Sequence, residues 1–533
     1  MKKLLVANRG EIALRVFAAA RALGIATVAV VAPDDEGALH ARSADETVRI
    51  ASYLDAAEHV RAARESGADA VHPGYGFLAE SGDFADAVIG ADLTWVGPSP
   101  AALRAGGDKL AAKRLAHEAG VPVVPDGEPD EIGFPLLVKA AAGGGGRGMR
   151  VVRSAAELAD AVEAAKREAL AAFGDDRVFY ERYLERPRHI EIQLLADTHG
   201  TITALGEREC SVQRRHQKVL EESPVLDAGL RADMSDAAVR FARAIGYASA
   251  GTAEFVVDGR DFYFLELNAR IQVEHPVTEL VTGVDLVQWQ LRIAEGERLE
   301  LPPLALDGHA VEVRLYAEDP RTFLPQAGRI ERLHLPASIR VDAGVAEGDD
   351  VGTSYDPMIA KLVAHGATRD EALDKLSAAL AETEVGGIVT NLPFLRWLVA
   401  QPALREGDTT TAFLVEHPPL SAPTPLPARV WRTPFRLNLP NAGLAPPPDI
   451  DAAAQGQHGI AESSSIIAPM PGTVIKVHVA AGDTVSARAP LVVLEAMKME
   501  TPLVSPYDAT VRAVNVAAGD RVAAGAVLVE LDD

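Results

Sequence analysis

Residues 466–495 and 503–532 of this 533-residue chain align without a gap at an offset of 37, and this internal repeat narrows the possible folds more than any other feature. Pro469 falls on Pro506, Thr473 on Thr510, and the run VAAGD at 479–483 on the same run at 516–520. Each copy alternates short apolar strands with breaks at Gly-Asp and is too short to bury its own apolar face. Two copies packed about a pseudo-twofold axis close a flattened all-β barrel of about 70 residues. Glu495-Ala496-Met497-Lys498-Met499-Glu500 then spans the fold-over point, with Lys498 on the tight turn, held out from the body. A lysine in a turn, taken alone, is solvated surface. The repeat symmetry together with Ala-Met-Lys-Met singles this one out.

The length calls for three to five domains, since one core does not grow to this size. A hydrophobic content of 48% with 24% charged residues is that of a globular protein. The net charge of −24 argues against a nucleic-acid partner and against an anionic membrane surface. A single cysteine, Cys210, excludes an intrachain disulfide and suits a reducing compartment. The N-terminus reaches Asn8-Arg9-Gly10 after too few apolar residues for a signal segment, and no apolar run has the length of a membrane span. A cytoplasmic location is expected.

Along the first hundred residues, strands and helices alternate. Residues 3–7 read as a buried strand, 11–23 as an amphipathic helix stopped by Gly24, and 25–31 as the next strand. The stretch 70–76 ends in a glycine-rich loop, and the whole pattern predicts a doubly wound parallel sheet flanked by helices. Mixed α/β and α+β patterning continues to about residue 418. Residues 421–463 then hold eight prolines and lead into Ser463-Ser464-Ser465. That composition predicts a semi-rigid, flexible linker, reaching over roughly 100 Å at about 3.1 Å per residue. Trp431 and Phe435 are out of place in a pure tether and are candidates for docking on a neighbouring surface.

Chemistry concentrates in four places. Gly143 to Gly146, followed by Arg147, Gly148 and Met149, follow a predicted strand ending at Val138-Lys139, and consecutive glycines let backbone N–H groups approach phosphate oxygens. Alone, such a tract is as readily a surface loop. Lys139 and Lys109 add point charges for a triphosphate, although the loop is not a Walker A sequence and fits a dinucleotide fingerprint poorly. Glu254 and Glu266 flank a predicted hairpin turning near Asp258-Gly259, with Asn268 two residues beyond on the same face. Two carboxylates and an amide oxygen are hard ligands suited to Mg²⁺ on nucleotide phosphates, though charged strand ends are more often just solvated. Strand alternation through Arg270, Gln272 and Glu274 would put a guanidinium, an amide and a carboxylate on one face, able to orient a small oxyanion and remove its proton. The fourth cluster, Gln213 to Lys218 (QRRHQK), reads by charge alone as an exposed basic patch.

These segments complete a family pattern. HPGYGFLAE (72–80), KAAAGGGGRGM (139–149), RPRHIEIQ (186–193), QRRHQK (213–218) and ELNARIQVEHPVTE (266–279) resemble the biotin carboxylase branch of the ATP-grasp enzymes. AVEVRLYAEDP (310–320) and SYDPMIAKL (354–362) continue the match, and 464–533 resembles a biotinyl carrier domain. The methionines beside Lys498 favour biotin over lipoate, which usually takes Asp-Lys-Ala. The order resembles the α subunit of a biotin-dependent acyl-CoA carboxylase. It implies an N-terminal domain over 1–112, an ATP-grasp domain with a mobile lid over 113–310, a mixed C-terminal carboxylase domain over 311–420, the linker over 421–463 and the carrier over 464–533.

The resemblance also implies roles. Lys109, Lys139, Gly144, Gly145, Gly146, Gly148 and Met149 would hold ATP, with Glu181 and Leu184 at the adenine or hinge region and His189, Gln213 and His216 nearby. Glu254, Glu266 and Asn268 would bind Mg²⁺ or Mn²⁺. Lys218, Arg270, Gln272, Val273 and Glu274 would hold bicarbonate, with Glu274 as base. Arg314 would stabilise the biotin enolate, Tyr75 would border the biotin pocket, and Lys498 would carry covalent biotin. Bicarbonate would attack the γ-phosphorus to give carboxyphosphate, whose CO₂ biotin captures. The implied partners are a carboxyltransferase β subunit and a biotin protein ligase, in a homo-oligomer or hetero-oligomeric complex.

The sequence departs from the family pattern in places. Ala142 stands where a fifth glycine is common, and a short acidic segment over 126–133 replaces a stretch that usually holds a helix. The β-rich subunit-contact domain of propionyl- and methylcrotonyl-type α subunits is replaced by the linker alone. Acetyl-CoA, propionyl-CoA and branched acyl-CoA acceptors all stay open. A pyruvate carboxylase-type subunit, an ATP-grasp ligase with a non-biotin carrier and a catalytically dead biotin scaffold are the competing readings.

Overall fold

A five-stranded parallel sheet opens the chain, ordered Glu46–Arg49, Ala26–Val31, Lys3–Val6, Ala70–His72, Thr94–Trp95. The computed structural model describes residues 1–107, 109–140, 149–173, 176–214, 217–321, 323–417, 465–470, 472–496, 499–522 and 525–532. Helix Gly10–Ala22 buries Ile12, Ala13, Val16, Phe17, Ala19 and Ala20, the face its apolar spacing predicts. Gly24, at φ +74°, lets the chain turn back into the sheet. The strand order reverses between Lys3–Val6 and Ala70–His72, so the loops leaving those two strands diverge and open a crevice. Asn8 and Tyr75 lie on those loops.

Contact density divides the chain into two units. The first comprises Met1–Val313, Val363–Leu376 and Arg405–Glu416. Its second sheet is antiparallel, ordered Asp261–Asn268, Ser249–Asp258, Arg188–Ala196, Ile202–Arg214, Gln217–Ser223, with Ala310 to Val313 paired beyond. The predicted hairpin is present, turning where Gly259 adopts φ +63°. A three-stranded sheet, Met149–Val152, Leu136–Ala140, Val178–Arg182, is covered by helix Ala155–Phe173 around Leu136, Val138, Val152 and Ala165. These are the parts of an ATP-grasp fold. The acidic segment before them keeps one helical turn, Pro129–Ile132, with Glu131 accepting from the Glu128 N–H at 3.2 Å.

One expectation is corrected here. Arg270, Gln272 and Glu274 do not alternate on a strand: the ladder stops at Asn268, and the chain runs as a loop into helix His275–Thr282, whose N-cap is Glu274. Pro276 sits in the first helical turn, where its fixed φ and missing N–H favour a helix start over a strand.

In the second unit, Arg314–Leu362, Ser377–Leu404 and His417–Asp533, the first part is mixed. Two-stranded ladders Gly328–Arg329 with Asp350–Val351 and Arg332–His334 with Glu384–Gly386 accompany helix Leu392–Val399, which buries Phe394, Leu395 and Leu398. The repeat forms two four-stranded antiparallel sheets. One runs Ser465–Ile467, Val527–Asp532, Ala509–Val514, Thr484–Val485, and the other Met499–Val504, Pro490–Ala496, Gly472–Val477, Arg521–Val522. Each sheet therefore takes two strands from each copy, and neither copy completes a sheet alone. Gly482 N–H donates to Val511 O and Gly519 N–H to Val474 O, both at 2.7 Å and 37 residues apart in both donor and acceptor. Val474, Leu491, Leu494, Val511, Leu528 and Leu531 fill the common core. The pairing of Pro490–Ala496 with Met499–Val504 reaches Ala496↔Met499.

Candidate active site

Cα pairing sets four charged residues in one row across four neighbouring strands. Glu266 pairs with Glu254, Glu254 with Glu191, and Glu191 with Arg208. Residues paired in this way point to the same face, and adjacent carboxylates repel unless cations stand among them. Two cations do. Lys218, from Gln217–Ser223, donates from Nζ to Glu191 Oε2 at 2.6 Å, Glu274 Oε1 at 2.7 Å and Glu254 Oε1 at 3.0 Å. Arg208 donates from Nε to Glu191 Oε1 at 2.6 Å. Burial opposes the Lys218 ammonium, yet the surrounding acidic groups outweigh it and raise its pKa well above the ordinary value. Burial likewise opposes the Glu254 carboxylate, and Lys218 and His189 hold it well below the ordinary range.

Glu254 is the hub of the predicted metal triad. It accepts from Asn268 Nδ2 and Gln272 Nε2, each at 2.8 Å, and His189 Nε2 lies 2.8 Å from its second oxygen. Asn268 turns its oxygen toward Arg270 Nη2 at 2.8 Å, while Arg270 Nε reaches Glu80 at 3.2 Å. Glu266 is half-buried at the row's outer end. His189, Glu191 and Glu254 place ligand atoms within 4.8 Å of one another. The donor chemistry fits a hard divalent cation: carboxylates in a row, with an amide beside them.

Leaving the strand pattern does not scatter the oxyanion set. The loop returns Gln272 to Glu254 and delivers buried Glu274 to Lys218. Val273 is half-buried between them, and Gln213 is the cross-strand partner of Lys218. Cys210 is buried beside Glu191 and Glu274, and burial pushes its thiol pKa well up.

A second cluster lies on the three-stranded sheet. Glu181 Oε2 accepts Lys139 Nζ and Glu181 Oε1 accepts Lys113 Nζ, both at 2.7 Å, with both ammoniums within 6 Å of the Phe179 ring centre. Burial opposes the Glu181 carboxylate and the two lysines outweigh it, so its pKa is lowered. Met149 is the cross-strand partner of Lys139, and Leu184 is buried. Lys109 begins helix Lys109–Glu118, one turn before Lys113. In the crevice of the parallel sheet, Tyr75 Oη donates to Glu11, and Asn8 Nδ2 holds the Pro73 and Tyr75 carbonyls at 2.7 Å. Arg314 is buried on strand His309–Tyr316, its carbonyl accepting from Asn391 Nδ2 at 3.0 Å. Gly144, Gly145, Gly146, Gly148, His216 and Lys498 lie outside the described residues.

Sequence reasoning missed Lys113, Glu191, Arg208 and Glu80. Two of them carried a usable signal: Glu191 is two residues from His189 on the same strand face, and Lys113 is one helical turn from Lys109.

Four family models match consecutive stretches of the chain. They are the biotin carboxylase N-terminal domain over residues 1–103, the carbamoyl-phosphate synthase L chain ATP binding domain over 108–301, the biotin carboxylase C-terminal domain over 312–416, and the biotin-requiring enzyme model over 464–531. The biotin-dependent acyl-coenzyme A carboxylase alpha3 subunit of Mycobacterium leprae is 44% identical, and the match covers 94% of each chain. The mitochondrial methylcrotonoyl-CoA carboxylase α subunit of Oryza sativa is 49% identical over 78% of this chain, which spans 60% of that relative's length. Among solved structures, the biotin carboxylase domain of Hydrogenobacter thermophilus 2-oxoglutarate carboxylase, with MgADP and bicarbonate, matches at TM-score 0.75 and 43% identity. That match covers 78% of this chain and 98% of the solved one. The chain belongs to the family of biotin-dependent acyl-CoA carboxylase α subunits.

Proposed function

We propose that the chain is an ATP- and bicarbonate-dependent biotin carboxylase that carboxylates biotin carried on Lys498 of its own C-terminal domain. The observation that carries this reading is Lys218 bound at once to Glu191, Glu254 and Glu274, with Gln272 bonded to Glu254 and Arg270 joined to it through Asn268. Bound Mg-ATP supplies the phosphoryl group, and biotin the nitrogen that accepts the carboxyl. Lys139 neutralises phosphate charge, and Glu254, Glu266 and Asn268 are the metal ligands. Bicarbonate is held by Lys218, Arg270, Gln272 and the Val273 backbone. An oxyanion arriving at Lys218 competes with Glu274 for that ammonium. Glu274 is thereby freed just as a proton is presented to it. Arg314 and Tyr75 serve the biotin end. Division at residues 112, 310, 420 and 463 belongs to the same reading, supported by the four matched stretches. The carboxyl group passes to an acyl-CoA, acetyl- or propionyl-CoA first among candidates, on a carboxyltransferase β subunit.

The test is ADP release by the full chain with free biotin, with and without bicarbonate. Glu274→Gln keeps the shape and removes the base, so turnover falls by about 10²–10⁴ with ATP affinity unchanged. ADP release indifferent to bicarbonate, or a near-normal Glu274→Gln enzyme, overturns the reading.

A further inference from the structure

Arg208 is fully buried, and all five of its N–H groups are engaged. Nε donates to Glu191, Nη1 to Gln193 Oε1 at 2.7 Å and Thr278 Oγ1 at 2.8 Å, and Nη2 to Gln272 Oε1 at 2.7 Å and Thr252 Oγ1 at 3.3 Å. Those partners come from two sheet strands, the loop after Asn268 and helix His275–Thr282. A guanidinium fork with every donor used is a rigid jig, because no rotation satisfies the same acceptors. Two of its bonds bear on the oxyanion site, one directly and one through Glu191. By taking Gln272 Oε1, Arg208 settles the amide with Nε2 toward Glu254. By taking Glu191 Oε1, it leaves Oε2 to fix Lys218. Charge gives a second reason for a cation here: Glu191, Glu254 and Glu274 are balanced by Lys218, Arg208 and Arg270.

We propose that Arg208 is the positioning residue of the bicarbonate site, aligning Gln272 directly and Lys218 through Glu191. It touches no reacting atom, and this role rests on the function proposed above. Among the described residues none of its hydrogen bonds reaches Lys139 or Glu181, so its removal acts on bicarbonate and not on the nucleotide.

The test uses the full chain and steady-state ADP release with free biotin, varying ATP and bicarbonate separately. Arg208→Lys keeps the charge and loses the fork. Its KM for bicarbonate is expected to rise, and its kcat to fall, each by about tenfold or more, the effect typical of removing an outer-shell partner, while KM for ATP stays within about twofold. Thr278→Val removes one acceptor in a near-isosteric swap and decides the matter if the lysine variant does not fold. It is expected to raise KM for bicarbonate about two- to threefold with ATP unaffected. Equal rises in both KM values, or a folded variant with unchanged bicarbonate dependence, overturn the proposal. A parent enzyme without bicarbonate-dependent ADP release overturns the proposed function instead, and this role with it.

Discussion

Arg488 and Gly525 occupy equivalent places in the two copies of the repeat, and the backbone asks the same unusual conformation of both. Arg488 has φ +68° and Gly525 φ +81°. Arg488 N–H donates to Ser505 O at 2.7 Å, and Gly525 N–H donates to Ala468 O at 2.8 Å, the symmetry-related bond. A left-handed conformation costs an L residue roughly 1–2 kcal/mol that glycine avoids. Glycine in turn gives up about 0.4–1 kcal/mol through the entropy of the unfolded chain. Arg488→Gly is therefore expected to stabilise the domain by about 0.5–1 kcal/mol. Among the described residues a Cβ at Gly525 would meet nothing within 4 Å, so Gly525→Arg carries the backbone term alone and should destabilise by a similar amount. Every strand of both sheets lies within Ser465–Asp532, so calorimetry on a fragment of residues 464–533 reads the effect directly. In a domain of this size 1 kcal/mol moves the midpoint by about 4–8 °C, which gives expected shifts of about 2–8 °C, up for Arg488→Gly and down for Gly525→Arg. The double variant should return close to the parent. Two single variants that leave the midpoint unmoved, or move it the same way, refute the reasoning.

Three further outcomes concern Lys498, the proposed linker and Glu222. Lys498→Ala should abolish streptavidin reactivity while sparing ADP release with free biotin, and mass spectrometry placing biotin on another lysine would overturn that assignment. Deleting residues 441–460 should leave free-biotin carboxylation intact and strongly impair coupled acyl-CoA carboxylation, because a tether helps only while it spans both sites; unchanged coupled activity rules reach out as the limit. Burial works against the Glu222 carboxylate, yet His309 and Arg369 depress its pKa from 4.5 to about 2. Its stabilisation, on the order of 3 kcal/mol, is present above about pH 4.5 and lost as pH falls toward 2. Arg369→Met should therefore lower the midpoint of thermal unfolding at pH 7, and the gap from the parent should narrow between pH 4.5 and 2.

The repeat was legible because periodicity two and the Gly-Asp breaks are backbone properties, and symmetry then decides how the strands interleave. The hairpin carrying Glu254 and Glu266 was legible for the same reason, with Asp258-Gly259 marking its turn. The course of 270–274 was not. Over five residues a period-two pattern does not distinguish a strand from a loop, and only a ladder partner decides. Lys113 was invisible as a Glu181 partner because Asp126 and Glu181, the carboxylates around it, come from separate segments.

Arg208 escaped for a deeper reason. In the sequence it stands between Glu207 and Glu209, a triplet that reads as exposed charge, yet all three are buried. Glu207 turns to Arg231 and to the Val225 and Leu226 N–H groups; Glu209 turns to Arg188, Ser211 and Thr409. Alternation sends Arg208 to the opposite face, where the carboxylate row needs a cation. A strand of buried charges is stable only if every group finds its counter-group from a distant segment, which no local pattern reveals. That requirement locates the chemistry once the fold is known: the face on which acids outnumber bases along a strand row is the face to which Lys218 and Arg208 turn, and the one to which the metal is assigned in the proposed function.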